Sequence, residues 1–291
     1  MLCPPHNMEF AIALSVTDRD IDRLAELLSE AATLEIMPRF RNVSPDDVRL
    51  KSSVADVVTA ADECAERLIR QRLRAMFPTA LIVGEELHEE DTSGLRDLPE
   101  ADLAFVIDPL DGTANFASGL PLFGVILAVV VRGQTIAGLI YNPIGQEWII
   151  GVRGSGSFLR GSDGPQKKLQ VASPKPLSHM IGGVSWEYVD EPLRSRIAMN
   201  HAKALAPLNY RCAAHEYRLL ASGFGHFALY NKLMPWDHLA GVLVHREAGG
   251  YAARFDGTPY GPGIVDGGLL LAPDRESWQE LRRELWADPN D

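Results

Sequence analysis

Two apolar runs, Phe123 to Val131 and Thr135 to Tyr141, flank an Arg132-Gly133 turn. Runs of this length on either side of so short a connection commit the middle of the chain to a β-hairpin. Glu147 to Val152 reads as a further strand of the same sheet. Upstream, Ala80 to Gly84 and Leu103 to Asp108 are short apolar runs that end in carboxylates. A sheet is therefore expected whose strand ends carry acids.

Helical spacing brackets this sheet. Ile21, Leu24, Leu27, Leu28 and Ala31 recur at helical intervals behind a Thr17/Asp20 capping signal, and Thr59 with Asp62 opens a second helix that Pro78 stops. Arg153 to Pro176 is rich in Gly, Ser, Pro and Lys and reads as a loop or lobe boundary. Beyond it, strands (Met180 to Ser185, Leu208 to Cys212, Phe227 to Tyr230, Gly268 to Ala272) alternate with helices starting near Glu191, Ala214 and Asp237 and ending with Arg275 to Trp286. The expected class is α+β with an α/β second lobe: residues 1–160 form an N-terminal α+β lobe and residues 161–291 a C-terminal α/β lobe.

The chain has 291 residues, 46% of them hydrophobic, which is enough for a buried core. Its net charge of -11 disfavours a nucleic-acid partner, and outside helical patterns the tight basic pair is Lys167-Lys168. An acidic chain still handles anionic substrates when part of its carboxylate excess holds divalent cations. Cys3, Cys64 and Cys212 are scattered, without zinc-site or disulfide spacing, and fit a reduced cytoplasmic setting. The first ten residues lack a signal-peptide pattern, and the apolar run Gly119 to Val131 is too short to span a bilayer.

Asp108-Pro109-Leu110-Asp111-Gly112-Thr113 carries the most chemistry. Two carboxylates three residues apart on a Pro-containing turn suit Mg²⁺, and Gly112 lets a phosphate approach backbone N–H groups at a helix start. Gly84-Glu85-Glu86 ends another strand. Taken alone it reads as a solvated acidic loop, just as Asp237 in Trp236-Asp237-His238-Leu239-Ala240-Gly241 reads alone as a helix cap. Together they supply what a multi-metal phosphoryl-transfer site requires, ligands and a base for water.

These segments in this order, with Lys51, Asp56 to Asp62 and Glu247-Ala248-Gly249-Gly250, make the chain similar to the inositol monophosphatase family, within the lithium-sensitive, magnesium-dependent sugar phosphatases. The resemblance spans nearly the whole length and implies a layered α-β-α-β-α fold, a homodimer and hydrolysis of a small phosphorylated metabolite. It implies two to three Mg²⁺ ions, with Mn²⁺ as an alternative and Li⁺ inhibitory. One ion would lie on Glu85, Asp108 and the Leu110 carbonyl, a second on Asp108, Asp111 and Asp237, and a weaker third near Glu85. Thr113, paired with Asp62 and backed by Thr59, would work with Glu85 to orient and deprotonate the attacking water. Gly112 and Thr113 N–H groups would hold the phosphate.

Substrate recognition departs from the pattern. Inositol-preferring members read Gly-Ser/Thr-Ala-Ala where this chain has Arg211-Cys212-Ala213-Ala214, and a glutamate where it has Tyr230. A phenol in place of a carboxylate removes a strong acceptor for two hydroxyls. Arg211 reads either as a partner for a second anionic group on the substrate or as a strand-edge cap. His215 faces the leaving group or packs, Lys51 edges the site or is a surface charge, and Cys212 is a small buried residue. Inositol phosphate is the default substrate; histidinol phosphate, fructose 1,6-bisphosphate and 3'-phosphoadenosine nucleotides are alternatives, and a non-catalytic regulatory protein of the same fold is the rival class.

Overall fold

The computed structural model describes residues 16–42, 48–53, 56–90, 92–162 and 165–286. Its larger sheet has seven strands: β3 (Leu81–Gly84), β4 (Ala104–Asp111), β5 (Gly124–Val131), β6 (Gln134–Asn142), β7 (Glu147–Val152), β8 (Gly156–Gly161) and β9 (Lys167–Lys168), in that spatial order. β3 and β4 run parallel; every later neighbour is antiparallel. The uninterrupted apolar run of β5 follows from burial on both faces. Val125, Leu127 and Val129 face Leu24, Leu28, Ile69 and Leu73 of α1 (Asp18–Ala31) and α2 (Ala60–Met76). Ile126, Ala128 and Val130 face the opposite way, onto α7 (Ala213–Ala221) and α8 (Pro235–Glu247).

The smaller sheet has the order β11 (Ala206–Pro207), β10 (Ile181–Val184), β12 (Phe227–Tyr230), β14 (Leu269–Ala272) and β13 (Tyr251–Arg254). The period of two again divides its residues. Ala228, Tyr230, Leu269 and Leu271 join the core around α7 and α8, while Phe227, Leu229 and Leu270 pack with Ile197, Trp278 and Leu281 of α6 (Leu193–His201) and α9 (Arg275–Trp286). The layers are thus α-β-α-β-α, as the resemblance implies. A short hairpin, β1 (Val48–Ser53) with β2 (Asp56–Thr59), leads into α2. Among the described residues no helix is long and apolar enough to cross a membrane.

One close approach fixes the central helix. Gly138 on β6 and Gly151 on β7 are paired across the sheet, and α8 lies over both. A Cβ on Gly138 would stand 2.6 Å from the Ala240 carbonyl oxygen, and one on Gly151 would stand 2.9 Å from Val244 Cα. Two glycines side by side let the helix backbone down onto the sheet, which sets the position of the helix's first turn and of Asp237 in it.

Two expectations are corrected. The stretch read as loop from Arg153 contains β8, because Gly154 in the left-handed region (φ 74°) closes a hairpin after β7 and Gly156 to Gly161 then pairs along it. Leu208 to Cys212, expected as a strand, forms none; the strand lies ahead of it at Ala206–Pro207, and the chain turns at Arg211 (φ 51°) to start α7. β13 was not anticipated. The boundary placed between residues 160 and 161 lies at the end of β8, with which β9 pairs in the larger sheet.

Candidate active site

The acids converge where the two sheets face each other across the start of α8. Asp108 and Asp111 sit on the last turnings of β4, and Glu85 opens α3 (Glu85–Glu90) directly after β3, whose Gly84 pairs with Ile107. Asp237 lies in the first turn of α8, which starts two residues earlier than the sequence suggests because Pro235 occupies the first helical position. Carboxylate oxygens of Asp108, Asp111 and Asp237 all lie within 4.8 Å of one another.

Such a group opposes its own charge. Burial is the main cause that pushes Asp108 and Asp237 well above the usual carboxylate range, and repulsion from Glu85 and Asp111 adds to it. Burial likewise raises Asp111 to about 6, against the hydrogen bonds that favour its charged form. Carboxylates packed this closely away from water call for protons or cations among them. The set is all oxygen, hard and anionic, which fits Mg²⁺ or Mn²⁺.

Each acid is also held by the backbone. The Leu110 N–H donates to Asp108 Oδ1 at 3.0 Å. Asp111 Oδ2 accepts from the Ala214 N–H at 2.5 Å and the Cys212 thiol at 3.0 Å. Asp111 thereby caps α7 from another element, tying the two sheets together. Burial and Asp111 push the Cys212 thiol well above its ordinary value, which keeps it protonated and unreactive. Gly112 (φ 86°) turns the chain into α5 (Thr113–Ala117), and a Cβ there would stand 2.7 Å from the Leu122 carbonyl oxygen. Both its conformation and its surroundings require glycine.

Thr113 Oγ1 lies 2.8 Å from Asp62 Oδ1 and 2.9 Å from the Leu110 carbonyl oxygen. Its single proton serves one acceptor at a time. Asp62 is the third residue of α2 and closes a capping box with Thr59, whose hydroxyl donates to Asp62 Oδ2 at 2.6 Å. Burial raises Asp62 to about 7 despite the hydrogen bonds from Thr59 and Thr113. The capping role and the role in the site are thus filled by the same two residues.

Sequence reading missed Glu66. It lies one helical turn beyond Asp62, is 1% exposed, and accepts from the N–H groups of Glu86 at 2.8 Å and Leu87 at 2.9 Å, so it caps the helix that presents Glu85. The four-residue spacing of two acids on an otherwise apolar helix face was the available signal. Lys51 lies on β1; its side chain is outside the described residues.

The opposite wall of this cavity, which measures about 200 Å³, includes Ser185, Tyr188, Asn209, Arg211, Glu216 and Lys232. Tyr230 is buried and donates from its hydroxyl to Glu216 Oε2 at 2.8 Å, while Tyr210 N–H donates to Oε1 at 3.0 Å. The acceptor that Tyr230 lacks is therefore present on Glu216, presented by α7. His215 is not brought to the cavity. Its Nε2 meets the Phe123 carbonyl oxygen at 3.2 Å beside Glu147 and Arg218, in an adjoining hollow, because one step along α7 turns it away from Glu216.

A family model described as "Inositol monophosphatase family" matches residues 18–288. An inositol-1-monophosphatase of Rhizobium meliloti is 31% identical over 258 residues, covering 84% of this chain and 88% of that one. A protein of Haemophilus influenzae named Nus factor SuhB is 32% identical over 250 residues, covering 82% and 88%. Among solved structures, the IMPase of Thermotoga maritima superposes with a TM-score of 0.76 at 25% identity over 92% of this chain and 97% of that one. The ordered motifs, the five layers and the match across almost every described residue agree: the chain belongs to the inositol monophosphatase family.

Proposed function

We propose that this protein is a magnesium-dependent phosphomonoesterase that hydrolyses a small phosphorylated metabolite by direct attack of water. The observation that carries the reading is the convergence of Asp108, Asp111 and Asp237 beside a glycine turn and a Thr113–Asp62 pair. Glu85, Asp108, the Leu110 carbonyl, Asp111 and Asp237 would hold two to three divalent cations, with Li⁺ as a competitor. Bound there, such ions would offset the carboxylate charge, polarise the phosphoryl oxygens and lower the pKa of a water.

The chain's own groups do the rest. Thr113 donates its hydrogen bond to Asp62, which turns its lone pairs toward the attacking water, and Glu85 is the second acceptor. The N–H groups of Gly112 and Thr113 hold phosphate oxygens at the start of α5. The water oxygen bonds to phosphorus as the ester P–O bond breaks; one water proton passes to Glu85 and on to solvent, and the leaving oxygen takes up a proton from solvent, so that one water yields the alcohol and hydrogen phosphate. Glu216, ordered by Tyr230, accepts from a hydroxyl of the leaving group. A homodimer in the cytoplasm completes the proposal, and light scattering at twice the chain mass tests the assembly.

The decisive experiment is phosphate release from inositol phosphate, histidinol phosphate, fructose 1,6-bisphosphate and a 3'-phosphoadenosine nucleotide, with EDTA and Asp111→Asn as controls. Turnover of one substrate, lost by at least about 10³-fold in both controls, supports the reading. No turnover with any substrate puts the non-catalytic rival ahead, in the direction of the relatives named Nus factor.

A further inference from the structure

Glu85 is presented by α3, a helix of six residues, which is too short to hold its shape alone. Glu66 fixes where that helix begins, through the N–H groups of Glu86 and Leu87, and a Cβ on Gly84 would stand 2.4 Å from the Glu66 carboxylate. This support comes from α2. His88, one turn beyond Glu85 and on the same side of α3, supplies a second from another layer.

The His88 imidazole meets the Trp236 indole with ring centres 5.3 Å apart and planes tilted by 50°, within the range of aromatic contacts. Trp236 is 5% exposed, belongs to the core around α7 and α8, and directly precedes Asp237. Its ring is therefore a fixed surface. His88 makes no use of its polarity on the buried side, since Nδ1 has no hydrogen-bond partner among the described residues. A buried ring nitrogen without a partner is a cost that a phenylalanine would not carry. What the position supplies is a flat ring in this place.

Glu85 and Asp237 line one cavity but hang on different elements, α3 after the larger sheet and α8 between the two sheets. A route between them that avoids the cavity runs from Glu85 to His88, across the ring contact to Trp236, and on to Asp237: one helical turn, one contact and one peptide bond. An ion that draws Asp237 inward shifts the first turn of α8, Trp236 moves with it, and His88 carries the shift to Glu85.

Resting on the reading of Glu85 and Asp237 as ion ligands, we infer that His88 is a positioning residue. Its ring on Trp236 orders the helix of Glu85 against the helix of Asp237, so that the ions these carboxylates hold bind cooperatively. The imidazole itself touches no reacting atom.

Mn²⁺ is the probe, because electron spin resonance counts free and bound ion without any turnover. In the wild type the isotherm is cooperative, with a Hill coefficient above about 1.3. In His88→Ala the coefficient falls to about 1 and the weaker ion binds at least about fivefold less tightly. His88→Phe keeps a flat ring against Trp236 and restores both. A merely structural role would instead lower the melting temperature of the metal-free protein and leave the cooperativity of the ions as it is. The inference is overturned if the wild type binds its ions independently, if His88→Ala keeps the wild-type isotherm, or if His88→Phe is as defective as His88→Ala. If the wild type binds no Mn²⁺, the metal reading fails by itself, and hydrogen exchange along α3 in the metal-free protein decides the ordering. Exchange about tenfold faster in His88→Ala and unchanged in His88→Phe supports it; equal rates in all three proteins sink it.

Discussion

Asp108 and Asp111 end a strand that is paired on both sides, and each carboxylate is held by backbone N–H groups or by the start of a helix. Arg211, Lys232 and Tyr188, across the same cavity, stand on connections of the smaller sheet and are exposed to solvent. The first side is fixed by main-chain geometry that any change in the sheet would disturb. The second is fixed in part by side chains meeting side chains, such as Tyr230 on Glu216. Chemistry that demands sub-ångström placement is built into the rigid layer, and recognition of the leaving group is left to positions that can vary without moving it.

The sharpest way to break this division is Thr113→Ala. It removes the hydroxyl bonded to Asp62 at 2.8 Å while leaving the capping box of α2 to Thr59. The expected result is a fall in kcat of about 10²–10³-fold with KM and melting temperature nearly unchanged. A fall confined to KM would place Thr113 on the recognition side and contradict the division outright.

A smaller effect is expected from Gly138→Ala, far from any reacting atom. The added Cβ meets the Ala240 backbone at 2.6 Å, and a helix backbone cannot yield as a side chain does. A loss of about 2–3 kcal/mol in stability is expected, together with a higher magnesium requirement as α8 and Asp237 are displaced. Gly161→Ala serves as the control, because a Cβ there meets nothing within 4 Å. Denaturant midpoints measured with and without magnesium separate the two contributions. An unchanged magnesium requirement would mean that the close approach of α8 does not position Asp237.

Much of the acid side was legible because its signals are local. An apolar run ending in Asp108, a left-handed position at Gly112 and a Thr-x-x-Asp pattern at Thr59 each predict their own surroundings, and the structure places those residues together. The five-layer order was implied by the resemblance, and the strand and helix alternation is consistent with it. Glu66 was missed although its four-residue spacing from Asp62 marks a shared helix face, and Glu216 because its partner Tyr230 lies fourteen residues away on another element, a pairing no period encodes. The sequence leaves His215 open between facing the leaving group and packing, and it packs against Phe123 while its neighbour Glu216 reaches the cavity. Helix phase decided the matter, and a single residue step on α7 separates the cavity from the adjoining hollow.

The smallest effect sharpens the comparison most, because it probes the recognition wall without touching charge. Tyr230→Phe deletes a hydroxyl that donates to Glu216 Oε2 at 2.8 Å and keeps the buried ring, while the Tyr210 N–H still holds Oε1. Glu216 then keeps its place less strictly and exposes one oxygen lacking its donor. The expected cost is about 1 kcal/mol, read as a KM raised roughly fivefold with kcat unaltered. If kcat falls instead and KM holds, the wall opposite the acids takes part in the reaction itself, and the two sides of the cavity are one machine.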